Sequence, residues 1–237
     1  MIGVNNISLY LGKEKPKLKV KSLTIEKGLW ALVGRNGSGK STFINALSGV
    51  NPNYEGNILI QNIALEKISA QDLSKKIAIV LSKTTLFGHY SALDVLNLGR
   101  IPYQGIMAKM TQQDKDKVQE IIALLQLNPL INKSFEVLSD GEKQLIMIGR
   151  ALVQDTPIIL LDEPTAFLDV VNRKKIIKLL ANIAKKQDKT IVFSTHNIDL
   201  IEEFCDGMLL IEQSNMRVVN DKSNFKNELN KLFENEI

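Results

Sequence analysis

The chain has 237 residues, enough for one large domain or for a domain that carries a substantial inserted subdomain. Hydrophobic residues make up 44% of it, which supports a packed core and excludes wholesale disorder. The formal net charge of +4 is spread along the chain; it is compatible with an anionic membrane surface and is weak evidence for nucleic acid, which is not expected as a partner.

No apolar run approaches the ~20 residues needed to cross a bilayer. The start, Met1 to Asn6, lacks the charged-then-apolar pattern of a signal peptide. The one cysteine, Cys205, excludes an internal disulfide and fits a reducing compartment. His89, His196 and Cys205 are too few and too far apart for structural zinc. A cytoplasmic protein is expected.

In chain order, residues 2–10 and 18–25 read as strands around the turn signal of residues 12–16. In the second of these, Lys17, Lys19 and Lys21 alternate with Leu18 and Val20, which predicts a half-buried strand with the lysines on a solvated outer face. A further turn at Glu26-Lys27-Gly28 leads to an apolar strand over residues 29–33. Gly34-Arg35-Asn36-Gly37-Ser38-Gly39-Lys40-Ser41 follows, and then a helix over residues 42–47. This is a phosphate-loop pattern in its strand–loop–helix context. The glycines let the backbone approach a phosphate chain, and successive N–H groups point at its oxygens. The helix start adds a partial positive charge. Lys40 would reach the β- and γ-phosphates, the Ser41 hydroxyl would ligate Mg²⁺, and Thr42 would add a further contact.

Residues 49–53 end that helix, and 56–63 and 77–81 read as two more strands. From about residue 86 to 155 the pattern turns helical, with amphipathic helices over 112–127 and 141–154. Residues 157–161 are continuously apolar, as in a strand buried on both faces, and end in Asp162-Glu163. Asp162 is placed to join a Mg²⁺ shell, and Glu163 to activate water as general base. A helix over 171–185, buried strands over 190–193 and 208–211, and a closing helix from Asn224 complete the chain.

Leu138-Ser139-Asp140-Gly141-Glu142 before a helix is similar to the L-S-G-G-Q signature of the ATP-binding cassette (ABC) ATPases, with Asp140 and Glu142 as substitutions. Ala166-Phe167-Leu168-Asp169 resembles the family's D-loop, and Ser194-Thr195-His196-Asn197 its switch-histidine loop. The resemblance runs from about residue 2 to 211. It implies an α/β P-loop fold: a parallel core sheet with an antiparallel β-subdomain (1–81 and 156–213), an inserted helical subdomain (86–155) and a tail helix (214–237), all in one domain.

It also implies an ATPase whose two copies pair head to tail, so that Ser139 and Gly141 complete the partner's ATP site and His196 contacts the γ-phosphate. Integral membrane permease subunits would dock near residues 86–103, on the inner face of the membrane, with a periplasmic or lipoprotein binding protein acting indirectly. Two elements depart from the pattern. Ser82, followed by Lys83, stands where the family has a metal- or water-binding glutamine. Tyr10, or Leu11 if the register differs by one, stands near the aromatic that stacks on adenine, and a core tyrosine reads equally well. Leu98-Gly99-Arg100-Ile101-Pro102-Tyr103 resembles a run in importers of iron–siderophore, haem and cobalamin, or is only a helix end with a proline stop. A soluble non-transport ABC ATPase, in cluster assembly or translation, and a non-hydrolysing nucleotide scaffold are the competing readings.

Overall fold

A computed structural model describes residues 1–10, 16–82, 88–105 and 109–234. Residues 12–15 of the turn expected at residues 12–16 lie outside the described residues, as do Leu11 and Lys83. The strands β1 (Ile2–Tyr10), β2 (Pro16–Ile25), β3 (Gly28–Gly34), β4 (Tyr54–Ile60), β5 (Ile63–Ala64), β6 (Ile77–Val80), β7 (Ile158–Leu161), β8 (Thr190–Ser194), β9 (Gly207–Glu212) and β10 (Asn215–Val219) form one sheet. Its order is β5-β4-β1-β2-β10-β9-β3-β8-β7-β6.

The last five strands of that order, β9 to β6, are mutually parallel, whereas β1 pairs antiparallel with both β2 and β4. The sequence led us to expect an antiparallel sheet beside a parallel core. The two are instead one surface: the hairpin of β9 and β10 returns the chain to β2, which it meets at Asn215 and Lys19. The strand Asn215–Val219 and the short helix at Ile198–Phe204 were not anticipated from the sequence. Both are too short for periodicity to reveal them.

The helices α1 (Lys40–Leu47), α2 (Ala70–Ser74), α3 (Ala92–Leu98), α4 (Gln112–Leu124), α5 (Asp140–Val153), α6 (Val170–Lys186), α7 (Ile198–Phe204) and α8 (Phe225–Glu234) cover the sheet. Every residue of β3 is buried, because the strand is covered on both faces. Leu29, Ala31 and Val33 join a core with α3 to α8, while Trp30 and Leu32 join one with α1 and the antiparallel strands. The same alternation runs through β7, with Ile159 and Leu161 on one side and Ile158 and Leu160 on the other. Phe225, Leu229 and Leu232 of α8 are buried in the first core.

This packing brings the carboxyl ends of β3, β6, β7 and β8 to one edge, where parallel sheets bind ligands. The phosphate loop leaves β3 there, Asp162 follows β7, and Thr195 and His196 follow β8.

Candidate functional site

The phosphate loop is built by backbone geometry. Gly39 caps α1 in the left-handed region, at φ 110° and ψ 12°, a conformation glycine adopts without steric cost. No side chain caps this helix, so among the described residues its first N–H groups have no side-chain acceptor. Lys40 is only 6% exposed, and its Nζ donates to the carbonyls of Gly34 (2.8 Å) and Arg35 (3.2 Å). Burial pushes its amine below the ordinary lysine range, against the raising fields of Glu163 and Asp162.

Asn36, Gly37, Gly39, Lys40, Ser41 and Thr42 line a cavity of about 470 Å³ together with Lys17 and Glu163. The other three loop residues do different work. A side chain at Gly34 would meet Ser38 Oγ at 2.5 Å and Ile211 Cβ at 3.0 Å, so Gly34 is where the loop packs on β9. The Ser38 hydroxyl is turned back to that same point and does not face the cavity. Arg35 reaches the other way, its Nη2 donating to the Leu232 carbonyl of α8 at 3.1 Å.

The acidic pair is held by Ser194, a residue to which the sequence reading gave no role. Its hydroxyl donates to Asp162 Oδ1 at 2.7 Å and accepts the Glu163 N–H at 2.7 Å. Asp162 is 2% exposed, and its N–H donates to the Val80 carbonyl at 2.8 Å. Glu163 itself lies at φ 48°, a left-handed conformation uncommon for a residue with a side chain and characteristic of functional sites. Only the fold brings Ser194 beside Asp162, across 32 positions of sequence, so no local pattern could announce it.

Glu163 also lines a second cavity, of about 530 Å³, with Thr165, Ala166, Arg173, Ser194, Thr195, His196 and Asn197 among its walls. His196 Nε2 stands 3.5 Å from Glu163 Oε1. Burial, reinforced by the Lys40 charge, lowers the His196 pKa against the opposing pull of Glu163, which favours the neutral imidazole at pH 7.

The remaining expected site residues stand apart from these two cavities. Ser139 and Gly141 line neither. Ser139 caps α5: its hydroxyl accepts the Glu142 N–H at 3.2 Å and its own N–H donates to Glu142 Oε2 at 2.8 Å. Gly141 sits against the D-loop, where a side chain would come within 3.0 Å of the Phe167 carbonyl. Asp169 caps α6 through the Asn172 N–H at 2.9 Å.

Ser82 follows β6 on the side of Asp162 but lines neither cavity. Tyr10 is likewise absent from the phosphate cavity; a hydrogen bond with Glu55 of β4 raises its phenol pKa. Lys17 breaks the expected solvent-facing row: Lys19 and Lys21 are exposed, but Lys17 is half-buried and lines the phosphate cavity.

The run at residues 98–103 is a structural staple. Arg100, 8% exposed, donates to Asp114 Oδ1 at 2.7 Å and to the Val153 carbonyl at 2.9 Å, and it lies 4.1 Å over the Tyr103 ring. It thereby ties the end of α3 to the start of α4 and the end of α5.

A left-handed glycine loop with a buried lysine, sharing one cavity with Glu163 and standing at the carboxyl edge of a parallel sheet where the buried Asp162 precedes that glutamate, defines a phosphate-loop nucleoside triphosphatase. The sequence matches the family model described as ABC transporter over residues 18–166. It is 31% identical over 218 residues to the molybdate import ATP-binding protein MolC of Haemophilus influenzae, covering 91% of this chain and 81% of that protein. It is 30% identical over 192 residues to the probable siderophore transport system ATP-binding protein YusV of Bacillus subtilis, covering 81% of this chain and 70% of that one. Among solved structures, a dimeric post-hydrolysis state of an ATP-binding cassette bound to ADP and Pi matches with a TM-score of 0.82 at 28% identity, covering 93% of this chain and 98% of the other. The chain spans about two-thirds of the length of the first curated relatives it matches. It belongs to the ABC transporter family and is one of the family's ATP-hydrolysing cassettes.

Proposed function

We propose that this cassette powers import of a metal chelate of the iron–siderophore, haem or cobalamin type. Two copies would pair head to tail on integral membrane permease subunits at the inner face of the membrane, with a periplasmic or lipoprotein binding protein delivering cargo. The observation that carries the reading is that Lys40, Gly37, Gly39 and Glu163 line one cavity.

In this reading the amides after Gly37 and the Lys40 ammonium hold the β- and γ-phosphates of ATP. Glu163 accepts a proton from the attacking water as the water's oxygen bonds to the γ-phosphorus and the bond to the β-phosphate oxygen breaks. His196 orients that water and the γ-phosphate. Ser194 is a positioning residue, since it fixes both the Asp162 carboxylate and the Glu163 backbone.

The donor set suits Mg²⁺. Among the described residues no group of three or more His, Cys, Asp or Glu side chains could hold a metal by itself. An exposed Ser41 hydroxyl and a buried Asp162 carboxylate are the hard oxygen donors that magnesium combines with phosphates and water. When bound, the ion would neutralise charge between the β- and γ-phosphates.

Among the described residues no helix is long and apolar enough to cross a membrane. In this reading the permease subunits form the transport path, and Ile101 and Tyr103, 55% and 38% exposed, offer them an apolar contact in the helical region. The siderophore relative supports a chelate as cargo, and the molybdate relative makes an oxyanion the competing cargo. Arg100 bears on the fold of the helical region and not on this choice.

Glu163→Gln tests the mechanism. It should bind ATP and accumulate closed dimers, with hydrolysis reduced about 10² to 10⁴-fold; rapid turnover would remove Glu163 from the base role. Co-purification of polytopic subunits from detergent-solubilised membranes tests the transport reading. Their absence from a pull-down of the full chain would favour a soluble ABC ATPase.

A further inference from the structure

The phosphate cavity has a second lysine in its wall, and it comes from outside the phosphate loop. Lys17 opens β2 in the antiparallel part of the sheet. A hypothetical Cβ on Gly39 would stand 3.5 Å from Leu18 Cβ and 3.6 Å from Lys17 Cγ, so the stem of Lys17 lies directly against the glycine that starts α1. This is why Lys17 is half-buried while Lys19 and Lys21, two and four residues on along the same face, are exposed.

Among the described residues its amine has no partner. Lys17 makes no hydrogen bond or ion pair with another described residue, and Glu163, in the wall of the same cavity, is not paired with it. A lysine whose stem is packed against the wall of a cavity and whose charge is met by no carboxylate of the described residues raises the positive potential of the space it lines. Here that space is walled by the phosphate loop and the uncapped start of α1.

We propose that Lys17 is a second phosphate-binding cation, supplied by β2, that grips the nucleotide's phosphate chain beside Gly39. The inference rests on the nucleotide reading of this cavity. It adds to that reading a direct link between the antiparallel strands and the ligand: seating a polyphosphate draws the β1–β2 hairpin onto the start of α1.

The test is isothermal titration of the full chain with Mg-ATP and Mg-ADP at two salt concentrations, for wild type, Lys17→Met, Lys17→Arg and Lys19→Met. Lys17→Met should weaken both nucleotides about tenfold, as expected for one charge-assisted contact. It should also flatten the salt dependence. Lys17→Arg should keep most of the affinity, and Lys19→Met should match wild type.

Affinity within twofold of wild type in Lys17→Met overturns the inference and leaves the nucleotide site standing. An equal loss in Lys19→Met also overturns it, by reducing the effect to general surface charge. Absence of Mg-nucleotide uptake by the wild-type chain overturns the site reading itself. A melting curve of each variant separates lost binding from lost folding: weakened binding in a Lys17→Met protein that melts with wild type supports the inference, and a Lys17→Arg protein that folds normally yet binds as weakly as Lys17→Met overturns it.

Discussion

Two helix N-termini in this molecule were expected to cradle phosphate, and they are built differently. The start of α1 has a left-handed glycine as its cap, no side-chain cap and no acidic residue in its first turn. The start of α5 has a complete capping box between Ser139 and Glu142, and its first turn carries Asp140 and Glu142. The helices α2 to α7 all have side-chain caps, so α1 is the exception among α1 to α7.

The difference teaches which site acts alone. At α1 the helix dipole and the free N–H groups remain available to an anion. At α5 the chain supplies its own acceptor and its own negative charge, so the helix end is satisfied without a ligand. A partner's phosphate arriving at α5 would compete with Glu142 for the Ser139 N–H.

Lys40→Ala should break the α1 side of this comparison most severely. Removing the buried ammonium is expected to weaken Mg-ATP binding about 100-fold or more; unchanged affinity in a calorimetric titration would discredit the phosphate-loop assignment.

A smaller effect follows from the lowered pKa of Lys40. The free-state amine loses its proton at a lower pH than an ordinary lysine, whereas bound phosphate favours the charged form. Affinity should therefore be full on the acid side of that lowered value and fall as pH rises through it, by at most about tenfold per pH unit. Calorimetry in buffers of different ionisation heat should show proton uptake on binding in that window, and binding with no proton uptake there would contradict it.

Ser139→Ala should give the smallest change, at the α5 end. Loss of the cap should cost about 1 kcal/mol of stability, read from a denaturant titration. ATP affinity of the single chain should hold, because Ser139 lines neither cavity, while ATP-driven pairing should weaken. A loss of affinity in the monomer would show that the two helix ends are not independent.

Much of the site was legible because its chemistry is local. The spacing from Gly34 to Ser41 encodes a loop whose amides converge, and an apolar strand ending in Asp162-Glu163 places carboxylates at a sheet edge wherever that edge falls. The reading was weaker where one residue's role depends on a distant neighbour. Lys17 looked like one of three solvated lysines, since alternation along a strand cannot say what lies over its first residue. Tyr10 reads from the sequence equally as an adenine platform or as a core tyrosine, and the structure gives its phenol a hydrogen bond with Glu55 on the adjacent strand. Arg100 sat in a run that resembles importers, and its contacts are the buried Asp114 and the end of α5.

The sequence by itself determined that a phosphate loop, an acidic strand end and a signature helix exist, because each is specified by residues within a few positions of one another. Only the tertiary structure decided that Glu163 and Lys40 share a cavity, that Ser194 clamps the acid pair and that β2 lays Lys17 on Gly39. Those are contacts across strand order, and strand order is set by which apolar faces can be buried together, a property of the whole sheet that no short stretch carries.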